Sequence, residues 1–304
     1  MTDYPWHNPT KPPPLGIHYG MSDRDYHELP AMRWSTLSAG LTSARALHHR
    51  LHESRADSPA LRIGRAVHLR VLQPEVYAAA VAVVPDEHIT ASGAMSSSKA
   101  ARAWREEAAT WAESVLSPRE ADEIEAWARL VQAHDGAREL LDRCAHREVT
   151  AVWTEHDGDG GIIVCKARAD MLGPSLLADL KTWSPRSAFN ARTFGRECWS
   201  RNYHAQLGFY ARGFAWSGYT TADRGFLVVN KSHGGDVGAL LCDADMNAAG
   251  DADAAVALDV LRAALRTDTW EGAMPGVGTL SLPAYAYESD NNADDLGLVG
   301  LGDA

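Results

Sequence analysis

Three β-prone runs follow one another with only short breaks between Arg147 and Lys181. They cover residues 149–153, 162–171 and 176–181, and turn-forming sequences separate them: EHDGDGG at 155–161, then Gly173-Pro174. The first break has the composition of a hairpin turn. A chain that lays down strands this densely and then continues through helical stretches must build a sheet and cover it with helices. Each run also has an acidic residue at or near an end: Glu148 before the first, Asp170 in the second, Asp179 in the third. Lys181 stands two residues after Asp179, and alternate residues of a strand share a face. One lysine beside two or three carboxylates is the inventory for binding a hard divalent cation and activating a water.

The chain has 304 residues and 45% hydrophobic content, enough for one large domain or a domain with extensions. No apolar run is long enough to cross a bilayer, and the proline-rich opening, MTDYPWHNPTKPPPLG, lacks a charged-then-apolar signal pattern. A cytoplasmic location is therefore expected. Cys144, Cys165, Cys198 and Cys242 are far apart, without the close spacing of a zinc site or redox pair, so free thiols are expected. The net charge of −11 opposes general affinity for a phosphate backbone. The acidity is uneven, however: after Asp236 the only basic residues are Arg262 and Arg266. A local basic groove can coexist with an acidic whole.

Residues 1–15 read as a flexible N-terminal arm, with Pro12-Pro13-Pro14 favouring an extended backbone. Ser22 is a candidate cap in a turn-rich entry. A helix is expected over 36–52, with Leu37, Leu41, Ala44 and Leu47 on one face and Arg45, His48, His49 and Arg50 on its exposed side. Ser58-Pro59 opens a helix to about Leu72, on which Gly64, His68 and Leu72 share a face. A helix-interior glycine usually marks close approach of a backbone or a ligand. Lys99, Arg102 and Arg105 begin another helix, and Ser117-Pro118 caps the next, with Ile124, Trp127, Leu130 and Val131 as its apolar stripe. A short helix over 137–143 leads into the strands. After them, Ser184-Pro185 is a helix start followed by Arg186, Arg192 and Arg196. A helix over 203–216 puts Gln206 and Tyr210 on one face. Two strands, 225–229 and 237–241, and an alanine-rich helix, 247–266, follow. The expected organisation is an arm over 1–15, one domain over 16–285 whose helical lobe runs to about 143, and an acidic disordered tail over 286–304.

Asp170, then Asp179-Leu180-Lys181, then Gln206 and Tyr210 resemble the PD-(D/E)XK nuclease core with its downstream Q-x-x-x-Y helix, although Ala169 stands where a proline is usual. Gly20-Met21-Ser22-Asp23 with Tyr26-His27, and Gly64-Arg65-Ala66-Val67-His68, resemble the RecE-type, exodeoxyribonuclease VIII-like exonucleases of phages and prophages. The likeness runs from about Gly16 to about Val229. It implies an α/β fold, a restriction-endonuclease-like mixed β-sheet flanked by helices, with a helical N-terminal half. It implies Mg2+, with Mn2+ able to substitute, held by Asp170, Asp179 and the Leu180 carbonyl, with His68 and Glu148 as further ligands. Lys181 would orient the attacking water, and Gln206 and Tyr210 would hold the site and the DNA near it. The implied reaction is digestion of linear double-stranded DNA from its ends, 5′ to 3′, leaving 3′ single strands for a strand-annealing recombinase. The implied assembly is a homo-oligomeric ring inside a bacterial host cell. An endonuclease of the same fold and a non-cutting DNA-binding protein stay open as alternatives.

Overall fold

The computed structural model describes residues 4–53, 58–232 and 234–282. The expected acidic tail, 286–304, lies outside them. The chain opens with β1 (Gly16–His18), α1 (Asp23–Glu28), β2 (Met32–Arg33), α2 (Trp34–Leu37) and α3 (Ala44–His52). A mainly helical stretch follows: α4 (Pro59–Leu72), α5 (Pro74–Ala80), β3 (Val81–Val83), α6 (Lys99–Ala108), β4 (Ser114–Leu116), α7 (Pro118–Ala133) and α8 (Asp135–Asp142). Then come β5 (His146–His156), β6 (Ile162–Leu172), β7 (Leu176–Trp183), α9 (Ala191–Arg201), α10 (Tyr203–Trp216), β8 (Asp223–Asn230), β9 (Asp236–Leu241) and α11 (Ala244–Thr267).

Seven strands form one mixed sheet in the order β1-β5-β6-β7-β8-β9, with β2 beside β6. β5 and β6 are the antiparallel hairpin that EHDGDGG predicts, paired from His146↔Leu172 to His156↔Ile162. β7 and β8 run parallel, so the chain must return to the same end of the sheet between them. α9 and α10 make that crossover, and a parallel pair always needs one. β3 and β4 form a separate two-stranded sheet.

The sheet is apolar on both faces. On one, Val149, Ala151, Trp153, Phe226 and Val228 pack with Phe209 and Phe214 of α10 and Leu258 and Leu261 of α11. On the other, Ala178, Leu180, Leu227 and Val229 pack with Val67 of α4 and Ile124, Trp127 and Val131 of α7. Burial on both faces explains why β6 and β7 read as nearly continuous apolar runs. Gly208 and Gly250 let α10 and α11 touch: a Cβ at Gly208 would meet the Gly250 carbonyl at 2.4 Å.

Three expectations need correction. The helix over 36–52 is broken into α2, a 3₁₀ turn (Ser38–Leu41) and α3. Ser43 ends the first part by capping the second, its hydroxyl accepting from the Ala46 N–H at 3.0 Å, and Gly40 lies close under α11, 3.3 Å from Ala257 O if given a Cβ. Ser184-Pro185 does not start a helix. α9 begins at Ala191, where Asn190 and Thr193 cap each other's backbone N–H groups, which satisfies two helix-end donors at once. The expected flexible arm is anchored at residues 4–8: Tyr4 and Trp6 are each 7% exposed and stack at 4.8 Å, while residues 10–12, 14 and 15 stay exposed. Val164 N donates to Trp6 O at 2.8 Å and Asn8 N to Ile162 O at 2.9 Å. Burying two aromatic rings offsets the cost of ordering a proline-rich segment.

Candidate active site

The site lies where β6 and β7 part. They pair at only two positions, Met171↔Ala178 and Leu172↔Leu177. β2 takes the same edge of β6 further along, at Met32↔Cys165 and Arg33↔Lys166. In the gap, a side chain replaces the missing ladder bond: Leu180 N donates to Asp170 Oδ2 at 2.7 Å. The opposite edge of β6 is irregular at the same level. Arg147↔Met171 and Val149↔Ala169 pair, but Glu148 and Asp170 between them do not. Glu148 has φ +50°, a left-handed conformation that costs a non-glycine residue energy. Side-chain alternation also slips here, since Ala169 and Leu172 face the α10–α11 core whereas Met171 faces the α4–α7 core. These departures from a regular sheet bring Glu148 and Asp170 to the same place.

α4 supplies the third donor. Ser58 caps it by accepting from Leu61 N, and Pro59 takes the first turn, where its missing N–H costs nothing. His68 then faces β6, with Nδ1 3.4 Å from Asp170 Oδ2. One ligand atom from each of His68, Glu148 and Asp170 lies within 4.8 Å of the others. Burial pushes the Glu148 pKa up, and the nearby Asp170 carboxylate pushes it further. Burial and Asp179 do the same to Asp170, outweighing His68 and Lys181. Among the described residues no hydrogen bond or ion pair reaches the Glu148 carboxylate. Carboxylates whose ionised form is disfavoured by burial and by each other are suited to a divalent ion, which favours that form. One nitrogen and several carboxylate oxygens also suit Mg2+ or Mn2+.

Asp179 and Lys181 extend from β7 toward α10, as their spacing predicts. Their side chains form an ion pair. Gln206 ties the set together: its Oε1 accepts from Lys181 Nζ at 2.9 Å, and its Nε2 donates to Asp179 Oδ1 and to the Tyr210 hydroxyl, both at 3.0 Å. Asp179 Oδ2 is buried and receives no hydrogen bond. Its contact is the ion pair with the Lys181 ammonium. Burial pulls the Lys181 pKa down, but Asp179 and Asp170 together more than reverse that and leave it raised. The ammonium also lies 4.4 Å from the centre of the Tyr203 ring.

All eight residues singled out from the sequence thus surround one cleft of about 1450 Å³. His68, Glu148 and Asp170 form one group and Asp179, Lys181, Gln206 and Tyr210 the other. Leu180, expected to act through its carbonyl, joins them through its N–H to Asp170. Gly64 also lines the cleft, and its nearest neighbour for an added Cβ is Thr182 Oγ1 at 3.7 Å, an ordinary contact.

The structure adds residues that the sequence reading passed over. Lys166 and Arg168 share the alternation of Asp170 in a strand that is otherwise apolar, and charge at every second position was the available signal. Lys166 is 2% exposed and donates to Leu29 O at 2.8 Å and Tyr26 O at 2.5 Å, capping the carbonyl end of α1. Arg168 binds Asp23 Oδ1 at 3.0 Å and Ser22 O at 3.1 Å, and stacks 4.0 Å over Tyr26. The Gly20–His27 motif is therefore docked on β6 by two cations, which places Met21, Ser22 and Asp23 at the cleft wall. Glu113 joins that wall, its pKa raised by burial and by Asp23.

No family profile matches this chain, and no curated protein matches it in sequence. Among solved structures, a protein from Eubacterium rectale, provisionally named an exonuclease, superposes with a TM-score of 0.54. The match covers 90% of this chain and 98% of the other at 11% identity, which is a likeness of fold. A second structure, SSO0001, covers 75% of this chain and 84% of its own at 11% identity, with a TM-score of 0.28, too low to carry an argument.

Proposed function

We propose that this chain is a metal-dependent nuclease of the PD-(D/E)XK kind, and within it a RecE-type exonuclease acting on the ends of linear double-stranded DNA. One observation carries the reading. A cluster of possible ligands, His68, Glu148 and Asp170, in which the Glu148 carboxylate has no hydrogen-bond or ion-pair partner among the described residues, stands beside a hydrogen-bonded set, Asp179, Lys181 and Gln206, in one open cleft. The provisional name of the Eubacterium rectale protein is in keeping with it.

Asp170 and Asp179, with His68 and Glu148, would hold Mg2+ or Mn2+. Bound there, the ion would neutralise the scissile phosphate and make hydroxide available near neutral pH. Asp179 and Asp170 hold the Lys181 pKa up against burial in the metal-free site. Its ammonium is suited to orienting the attacking water and offsetting charge on the phosphoryl oxygens. Gln206 fixes the Lys181 ammonium and the Asp179 carboxylate with one amide, and Tyr210 fixes that amide. A rigid support of this kind holds reacting groups in position without reorganisation during the reaction. The negative overall charge is no obstacle, since Arg65, Arg147, Arg168, Arg186, Arg196, Arg201 and Lys231 all line the cleft.

The direct test is 5′- and 3′-end-labelled linear duplex with Mg2+, beside a covalently closed circle and an EDTA control. Loss of label from linear DNA alone, abolished by Asp179→Ala, is the expected result. Cutting of the circle would turn the reading to an endonuclease. Equal degradation by wild type and Asp179→Ala would end it. The 5′-to-3′ direction, a ring of identical subunits and a strand-annealing partner are further parts of the proposal. The order of label release and the mass of the assembled particle test the first two.

A further inference from the structure

Beyond the reacting groups, α9 has a feature that the cleavage chemistry does not use. Thr193, Arg196, Glu197, Ser200 and Arg201 line the cleft along one face of this helix. Beside that face runs a second row, Arg192, Arg196 and Trp199, spaced four and then three residues apart. Trp199 is 67% exposed, yet its ring is not loose. It stacks on His204 at 5.3 Å and 22°. His204 is 5% exposed, and both of its ring nitrogens meet acceptors, Asp253 Oδ2 at 2.9 Å and Cys198 O at 3.3 Å. A buried, pinned ring thus supports one face of an indole that stands in solvent.

Two further observations point to what the indole is for. Arg192 and Arg196 are exposed, and among the described residues neither has a hydrogen-bond or ion-pair partner. In a chain with 40 acidic residues against 29 basic ones, unpaired neighbouring arginines are unexpected. One turn before Trp199 stands Gly195, and nothing lies within 4 Å of where its Cβ would be. A glycine inside a helix costs stability relative to alanine, and no packing contact here requires it. The helix surface one turn before the indole is therefore open, with no heavy atom against it.

We propose that the Arg192–Arg196–Trp199 row binds an unpaired nucleic-acid strand at the cleft margin, a site that rests on the nuclease reading and gives its DNA a track. A base stacks on Trp199 in the space that Gly195 leaves, and Arg192 and Arg196 hold neighbouring phosphates. Aromatic stacking with flanking cations is how proteins grip single strands without reading sequence. A protein partner fits less well, since α9 exposes no second large apolar side chain among the described residues.

The test uses the full chain, fluorescein-labelled dT20 and EDTA, with affinity read by anisotropy, and separately the hydrolysis of bis(p-nitrophenyl) phosphate with Mn2+. Trp199→Ala is expected to weaken dT20 binding about tenfold, within the range for one stacked base. Trp199→Phe should recover most of that loss. Gly195→Leu should weaken binding as well, although its side chain enters open space. Arg196→Ala should make the salt dependence of log affinity shallower by about 0.7, the value for one phosphate contact on a single strand. Hydrolysis of the small diester, which has no base to stack, should not change in Trp199→Ala, Trp199→Phe or Gly195→Leu, whose side chains lie outside the metal-binding and reacting groups. Unchanged dT20 affinity in Trp199→Ala overturns the proposal. So does a shift to a smaller particle in that variant with DNA binding intact, which would make the row a subunit contact. If the wild type hydrolyses no diester while dT20 binding still depends on Trp199, the nuclease reading fails and the strand site stands.

Discussion

Strand β5 holds a glutamate near each end, and the two are treated in opposite ways. Glu155 is 6% exposed and fully partnered. Trp153 Nε1 donates to it at 2.9 Å, Arg262 at 2.9 Å and Arg212 at 2.7 Å. Burial pushes its pKa up, but the hydrogen bonds and charges of these partners more than compensate and leave it lowered. Glu148, seven residues earlier, has a strained backbone and a raised pKa, with no side-chain partner among the described residues. The same sheet thus neutralises one carboxylate internally and gives the other no side-chain partner among the described residues. Glu155 joins β5 to α10 and α11, and belongs to the architecture. Glu148 costs the fold stability through its backbone conformation and its buried carboxylate, and belongs to the cleft.

The sharpest way to break this contrast is to remove charge from each end in turn. Glu148→Ala should lower Mg2+-dependent DNA cleavage about a hundredfold, on the scale of losing one preorganised charge-stabilising group. Its unfolding midpoint in denaturant should stay close to wild type. Glu155→Ala should do the reverse. It leaves two arginines around an emptied site and should lose about 3 kcal/mol of unfolding free energy, while the folded fraction still cleaves DNA at the wild-type rate. A large cleavage defect in Glu155→Ala at low temperature would show that the two ends are not separable.

A smaller effect concerns pH. Glu148 and Asp170 have raised pKa values in the folded state, so folding takes up protons there. Their stabilising contribution is complete below the unfolded carboxylate values, near pH 4, and is lost as pH rises through the raised folded values. In EDTA, the part of the thermal stability that Glu148 and Asp170 supply, read as the difference between wild type and Glu148→Gln, should therefore fall as pH rises above about 4. The fall should amount to on the order of 1 kcal/mol. Because a metal ligand must be deprotonated, Mg2+ should raise the melting temperature more at pH 8 than at pH 5.5. A pH-independent response to Mg2+ would count against Glu148 and Asp170 as ligands. The smallest expected change is at Gly64, where open packing predicts that Gly64→Ala gains about 0.5–1 kcal/mol. A loss of stability there would mean that something besides Thr182 needs the space.

Much of this was legible in the chain, and the illegible part has a common cause. β6 and β7 are recognisable because burial on both faces makes them long apolar runs, and Gln206 and Tyr210 because the family resemblance singles them out and helical spacing sets them side by side. Ser58-Pro59 and Ser117-Pro118 mark their helices because a cap and an N1 proline are local chemistry. What sequence could not convey depends on contacts between distant segments. The parting of β6 from β7, the insertion of β2 beside β6, the φ of Glu148 and the docking of Tyr4 and Trp6 are all of that kind. Lys166 and Arg168 belong there too: their alternation is visible, but their partners at Ser22–Leu29 lie about 140 residues away in sequence.

The packed start of the chain has a practical use. Trp6 and Asn8 are bound at Ile162–Val164, the opposite end of β6 from Asp170. Seven residues of strand separate Ile163 from Asp170, about 23 Å at the usual rise. An affinity handle or a sensor-chip linkage placed ahead of Tyr4 would therefore hold the molecule by its back. The open mouth would face the flowing solution, and immobilised protein should capture labelled oligonucleotide as well as free protein does.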